Sequence, residues 1–427
     1  MSTAGVLFLS FAILLILNVP IAISLGVSSV LALCTTPMGF NMLPANVYAQ
    51  CSKFALLAVP YFIFAGNIME KTGISAKLIR MAQSLVGHTR NGLALVCIIV
   101  SCFFAAISGS GPATVAALGA VIIPAMVNNG YRKSTSSALM ATSGAIGVII
   151  PPSITFVIFG CITGVSIGDL FIAGIIPGII IGIFLAIAAR FASRNDELVK
   201  QPKASSEERW VAFKDAFWGL LMPVIILGGI YGGIFTPTEA AAVSAIYGLI
   251  IGLFVYRSIN LKSIIKILID STAQTATVMF IMATACCFSY VMNISGIATA
   301  AAQLLTVLSG GNKIIFLLIL NILLLFAGCV LDGSSALYIF TPLFFSVGVG
   351  LGFDPIHLGV IAIVNLAIGM ITPPVGVNLY VACGLAKINI KELLSGLWPF
   401  LIASLLALVL ITYVPILSTF LPSLMVH

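Results

Sequence analysis

Four short stretches of this chain carry residue types that could hold ions. Ser108-Gly-Ser-Gly-Pro-Ala-Thr114 is followed by Gly147-Val-Ile-Ile-Pro-Pro-Ser153, and further on Asp332-Gly-Ser-Ser335 is followed by Gly369-Met-Ile-Thr-Pro-Pro374. All four interrupt apolar sequence with helix breakers. Irregular backbone at membrane depth is tolerated only where it is buried in protein or lines a cavity, because its freed N–H and C=O groups need partners. A helix that stops at Gly147–Ile150 leaves carbonyls at its negative end, and a half-helix opened by Pro152 presents free N–H groups. One break thus offers oxygens to a cation and amides to an anion. Five or six oxygens without a full carboxylate suit Na⁺ better than Ca²⁺.

The first candidate cation site therefore comprises Ser108, Ser110, Gly147, Ile150 and Pro152, and its counterpart Asp332, Gly333, Ser334, Gly369, Thr372 and Pro374. Asp332 is the acid placed nearest mid-membrane. It has two readings: a titratable carrier, since intramembrane ionisable groups are functional candidates, or the N-cap of the following helix. Thr114, Ser153, Thr155, Ser335 and Asn378 flank the four stretches and are candidate substrate contacts. For Thr155 and Asn378 ordinary helix packing is the competing reading. The histidines His88, His357 and His427 are far apart in the pattern, and the nine cysteines form no CxxC pair, so a metal cluster or a disulfide framework is not indicated.

The elements that must position these stretches are membrane helices. Hydrophobic residues make up 61% of the 427 residues and charged residues 7%, against roughly 25% charged in soluble domains. The net charge of +7 would suggest nucleic acid in a soluble protein; here it reads as topology, with the bilayer as partner and no nucleic acid. Spans of about 20 apolar residues are expected at Gly5–Leu17, Ile21–Cys34 and Phe54–Met69. An interfacial amphipathic helix is expected at Ser75–His88, and a re-entrant hairpin at 91–127 with arms Leu93–Ile107 and Ala113–Met126. A helix broken at Pro151-Pro152 over 131–163 and a span Ile167–Ala189 complete a first repeat, 1–193. A connecting loop covers 194–214. The second repeat, 215–427, has spans Trp218–Tyr231, Ala240–Tyr256 and Ile264–Val291. An interfacial helix Ile297–Leu308, a hairpin at 312–350, a broken helix at 355–385 and a last span Leu393–Phe420 follow. Asp169, Glu239 and Asp354 read as helix caps, and Trp210 and Trp218 as interface anchors.

The halves align in one register. At a spacing of 222 residues Gly130, Gly147, Pro151, Pro152, Gly174 and Pro177 meet Gly352, Gly369, Pro373, Pro374, Gly396 and Pro399. The hairpin tips align at 224, Ser108-Gly-Ser110 against Asp332-Gly-Ser334. Five crossings per half make the second repeat inverted. With both termini outside, only Lys53 and Lys313 of the 19 basic residues fall outside, as the positive-inside rule requires. The expected fold class is an all-α polytopic membrane protein of two inverted repeats, the architecture of secondary transporters.

In length, paired hairpins, Ser-Gly-Ser-Gly-Pro-Ala-Thr, Ile-Ile-Pro-Pro-Ser and Ile-Thr-Pro-Pro-Val-Gly-Val-Asn, the chain resembles the large membrane subunit of tripartite ATP-independent periplasmic (TRAP) transporters. The resemblance implies a Na⁺-driven elevator in a bacterial inner membrane. It implies import of an organic acid, sialic acid or a C4-dicarboxylate, received from a periplasmic substrate-binding protein. It also implies a small four-helix membrane subunit, here expected as a separate chain. It carries sodium sites onto Ser108, Ser110, Gly147, Ile150 and Pro152, and onto Gly333, Gly369, Thr372 and Pro374, the second tip departing from the family's pattern by reading Asp-Gly-Ser-Ser. The competing readings are a stand-alone divalent-anion/sodium symporter of the same hairpin architecture and a membrane-embedded enzyme, for which the sequence offers no nucleophile–base pair.

Overall fold

The computed structural model describes residues 2–36, 40–199 and 201–425; Met1 and His427, the expected limits of the two repeats, lie outside them. The described residues are helical, with no strand among them. The first half runs α1 (Thr3–Ile16), α2 (Ile21–Leu33), α3 (Leu43–Cys51), α4 (Ala58–Lys71), α5 (Ile74–Val86), then α6 (Gly92–Ser108) and α7 (Gly111–Asn128) as a hairpin. A broken helix, α8 (Lys133–Ala145) and α9 (Ile154–Thr163), and α10 (Ile167–Ala192) complete it. The second half repeats the plan. It has α11 (Ser206–Tyr231), α12 (Pro237–Ile250), α13 (Leu261–Ile294), α14 (Ile297–Ser309), the hairpin α15 (Lys313–Val330) and α16 (Gly333–Gly350), the broken helix α17 (Pro355–Gly369) and α18 (Val377–Ala386), then α19 (Ile390–Tyr413) and α20 (Ile416–Ser423). Nine of the described helical stretches are long and apolar enough to cross a bilayer.

Two groups of helices emerge from the packing. In the outer group α1 lies on α2, α2 on α13, α4 on α12 and α13, and α11 on α12. Helices of one half are thus paired with helices of the other. The inner group holds both hairpins, both broken helices, α10 and α19, with α8 against α19 and α7, and α17 against α15. The amphipathic α5 bridges α11 to α6, and α14 bridges α13 to the second hairpin. On the far side from the hairpin tip, Lys53 Nζ donates to the Cys161 carbonyl at the end of α9, 2.6 Å away. A cation at a helix C-terminus is favourably placed.

The broken helices sit deepest. Every residue of α8 from Thr135 to Ala145, and of α17 from His357 to Gly369, is buried. A helix enclosed on every side has to satisfy most of its hydroxyls itself: Ser136, Ser137 and Thr142 donate back to the carbonyls of Arg132, Lys133 and Ala138, while the buried Ser143 hydroxyl has no hydrogen-bond partner among the described residues. Such back-bonding is available to short hydroxyl side chains. Small side chains also permit close approach. A Cβ on Gly396 of α19 would stand 2.7 Å from the Ser134 carbonyl carbon.

The structure departs from the sequence expectations in five places. Helix α3, which packs on α13, falls where no helix is expected. Helix α11 starts at Ser206, inside the expected 194–214 loop, held by a capping box between Ser205 and Glu208; the connecting loop is correspondingly shorter. The last span is divided at Val414–Pro415 into α19 and α20. The hairpin tips align at 222, not 224, since α7 begins at Gly111 and α16 at Gly333; Ser110 and Asp332 are the equivalent N-caps. Pro152 does not open the half-helix: Ser153 is the N-cap and α9 starts at Ile154.

Candidate transport site

Each hairpin tip enters a break in a neighbouring helix. At the first joint α6 ends at Gly109, which adopts φ +60°, and a Cβ there would stand 2.8 Å from the Pro152 carbonyl oxygen. Only glycine combines that left-handed conformation with so close a backbone approach. Ser110 follows in extended conformation as the N-cap of α7, with no side-chain cap bond. Its carbonyl accepts the Thr114 hydroxyl at 2.8 Å, and the Ser108 and Thr114 hydroxyls lie 2.8 Å apart. Gly147, in the tight turn after α8, faces this cluster: a Cβ on it would lie 2.7 Å from Thr114 Oγ1 and 3.0 Å from the Ser110 oxygen. The Val148 carbonyl accepts from the Ser153 hydroxyl, which also pairs with Thr155 Oγ1 at 2.8 Å. Ile150 sends its side chain towards Gly178 on α10. The joint thus gathers uncharged oxygens: the Ser108 and Thr114 hydroxyls and the Ser110 and Pro152 carbonyls.

The second joint has the same plan with different chemistry. Asp332 caps α16, its Oδ2 accepting from the Ser334 and Ser335 amides at 3.0 and 3.1 Å and its Oδ1 from the Ser335 hydroxyl. The capping reading of Asp332 is the one that the geometry satisfies. Gly369 lies against Gly328 of α15, where a Cβ would come within 2.5 Å of backbone. The Thr372 hydroxyl donates to the Ile368 carbonyl at 2.8 Å, and the Gly376 amide to the Cys329 carbonyl at 3.3 Å. Pro374, Val375 and Val377 are exposed, whereas Pro151, Pro152 and Ser153 are buried.

The joints are also cross-linked. Gly111, opening α7, lies beside Asn378 of the second broken helix, and Gly333, opening α16, beside Thr155 of the first. Asn378 Nδ2 donates to the Ala141 carbonyl at 3.1 Å. Thr114, Ser153, Ser335 and Asn378 are fully buried, so the structure directs these candidate substrate contacts into the joints. The ring nitrogens of His357 are engaged by Ser418 Oγ at 2.6 Å and the Thr412 carbonyl at 3.2 Å, away from both joints.

A cavity of about 410 Å³ opens beside the first joint, lined by Ser108, Ser110 and Pro112 of the hairpin, by Asn67 and Glu70 of α4, and by Gln274 and Thr277 of α13. The last four were not among the sequence candidates. For the two on α13 the signal is a polar run, Asp270 to Thr277, within an otherwise apolar helix.

The chain matches the family described as "Tripartite ATP-independent periplasmic transporter, DctM component" over residues 8–417. It belongs to the DctM family. A Rhodobacter capsulatus relative, the C4-dicarboxylate TRAP transporter large permease protein DctM, is 41% identical over 99% of both chains. The Vibrio cholerae sialic acid TRAP transporter large permease protein SiaM is 36% identical over 96% of both. The isethionate TRAP transporter permease protein DctMQ of Oleidesulfovibrio alaskensis is 42% identical over 97% of this chain and 66% of that longer one. The solved Alcanivorax borkumensis YdaH transporter matches in fold, with a TM-score of 0.63 at 16% identity, covering 95% of this chain and 98% of that one. This DctM chain is therefore a TRAP transporter large permease, a polytopic membrane protein whose relatives are permeases.

Proposed function

We propose that this DctM protein imports an organic acid of the sialic acid or C4-dicarboxylate class by Na⁺ symport. In this reading it is the large permease of a three-part system, with a small membrane subunit beside it and a periplasmic binding protein delivering substrate to its outer face. The observation that carries the reading is the first joint: Ser108, Thr114, Ser110 and Pro152 bring uncharged oxygens together where Gly147 leaves a cradle that a single Cβ would fill. A small cation of low charge fits such a donor set, and a divalent ion would call for carboxylates. Ser108, Ser110, Gly147, Ile150 and Pro152 are assigned to a first ion. Gly333, Ser334, Gly369, Thr372 and Pro374 are assigned to a second, with Asp332 holding the helix end that shapes it.

The two-group packing supports an elevator, in which the inner group slides past the outer one carrying ion and substrate together. The bond from Lys53 to Cys161 spans the two groups and is broken and remade in each cycle. Both termini are assigned to the periplasm on the distribution of basic residues. A tenfold Na⁺ gradient contributes about 1.4 kcal/mol per ion, and a membrane potential about 2.3 kcal/mol per charge per 100 mV, so two ions can drive steep accumulation.

The test is uptake in proteoliposomes containing this chain, the small subunit and the binding protein. Replacing Na⁺ by K⁺ abolishes uptake on this reading. Equal uptake driven by a proton gradient without Na⁺ refutes the coupling. Full uptake by this chain alone would favour a stand-alone symporter.

A further inference from the structure

Only one side of the cavity at the first joint belongs to the hairpin. The other side is built from α4 and α13, which pack in the outer group. There Asn67 Nδ2 donates to Ser271 Oγ at 2.9 Å and to Gln274 Oε1 at 3.2 Å, which fixes both amides and leaves the Gln274 Nε2 donors free of that pair. Ser271, Gln274 and Thr277 are spaced by three residues along α13, one face of a helix. Thr277 also lines a second cavity, of about 630 Å³, which reaches Asp332 at the other hairpin tip. This face of α13 therefore runs past both tips, and polar side chains in a membrane span are costly unless they face protein or a cavity.

The charge around the first cavity is one-sided. Among its described lining residues none is basic, and the single charged one is Glu70 at the rim, 4.0 Å from its neighbour Lys71. Helix N-termini reach this cavity only from the inner group, where α7 begins at the hairpin tip and α9 at Ile154, neither with a side-chain cap on its N–H groups. Helix N-termini of this kind favour one anionic group. A second carboxylate on the same ligand would point across the cavity to the amides and towards Glu70, where like charge opposes it.

We propose that Asn67, Gln274 and Thr277 form a fixed substrate-reading wall, with Glu70 at its rim, selecting a hydroxylated monoanion over a dianion. The inference rests on the transport reading above and narrows its substrate class. The hydroxyl groups of a sugar acid can both donate to and accept from the amides of Asn67 and Gln274 and the Thr277 hydroxyl. A dicarboxylate can only accept, and it meets Glu70.

The test is thermal protection of the purified full-length chain in Na⁺ buffer, titrated with gluconate, N-acetylneuraminate or succinate. In the wild type, either hydroxylated monoanion should protect at concentrations at least tenfold below succinate. Glu70→Gln should close most of that gap by improving succinate, and Gln274→Leu should weaken gluconate and N-acetylneuraminate about tenfold while leaving succinate nearly unchanged. Succinate protecting as well as the other two in the wild type, no protection by any of the three, or a gap unmoved by Glu70→Gln overturns the wall. Because the Na⁺-for-K⁺ uptake test needs no knowledge of Glu70 or Gln274, the transport reading stands or falls separately.

Discussion

Gly147→Ala is the most direct perturbation of the first joint. The new Cβ would lie 2.7 Å from Thr114 Oγ1, 3.0 Å from the Ser110 oxygen and 3.3 Å from the Ser110 carbonyl carbon. Two of these three are backbone atoms of a hairpin tip wedged between breaks, so rotating the Thr114 side chain away does not relieve the crowding. The tip must withdraw by several tenths of an ångström, and overpacking of this kind costs about 1–3 kcal/mol. If the displaced oxygens ligate Na⁺, part of that cost falls on the ion-bound state, and each 1.4 kcal/mol lost there weakens Na⁺ about tenfold. A ligand at a hundred times its Kd stabilises a protein by about 2.7 kcal/mol. A tenfold loss of affinity would therefore halve the Na⁺-dependent rise in melting temperature at that concentration, on the same relation. Gly384→Ala is the matched control, because a Cβ at Gly384 meets nothing within 4 Å. The assay is Na⁺ titration of the melting temperature in detergent, with K⁺ keeping ionic strength constant. A Gly147→Ala protein with wild-type half-saturation by Na⁺ would show that the cradle is a packing contact and holds no ion.

Ser108→Ala removes a hydroxyl that contacts Thr114 Oγ1 at 2.8 Å; losing a group bonded to a charge costs about 1.5–3 kcal/mol, so Na⁺ dependence in uptake should shift by one to two decades and be rescued in part by high Na⁺. Asp332→Asn keeps acceptors for the Ser334 and Ser335 amides and should leave melting and uptake near wild type, while Asp332→Ala should lower stability by about 0.5–2 kcal/mol; loss of uptake in the Asn variant with normal melting would make the charge itself essential. Ser205→Cys in a cysteine-free background should resist an impermeant thiol reagent added from the periplasm, and ready labelling from that side would reverse the assigned orientation.

What could be read from the sequence was whatever depends on local backbone rules. Ser-Gly-Ser-Gly-Pro and the two Pro-Pro pairs cannot continue a helix, so the joints and the repeat spacing follow from residue type alone. Helix α3 could not be read this way: Leu43–Cys51 has little apolar periodicity and packs mainly on α13, a partner far along the chain. The Ser205–Glu208 capping box was visible as a pattern, but hydropathy placed it in a loop. The hydroxyls gave the most ambiguous signal. Thr114 and Ser153 have the same chemistry whether they face a cavity or close a joint, and only the packing puts them in the joints. Asn67 and Gln274 become neighbours through the pairing of α4 with α13, which no local pattern encodes.

That pairing bears on how the chain is made. Asn67 finds its partners Ser271 and Gln274 more than 200 residues later in the sequence. At roughly 5–20 residues per second, α4 waits about 10–40 s in the bilayer with this amide unmatched. Helix α2 waits similarly for α13. The first repeat is thus inserted before the surfaces that complete it exist, and for that interval it is the natural client of the insertion machinery and of membrane quality control.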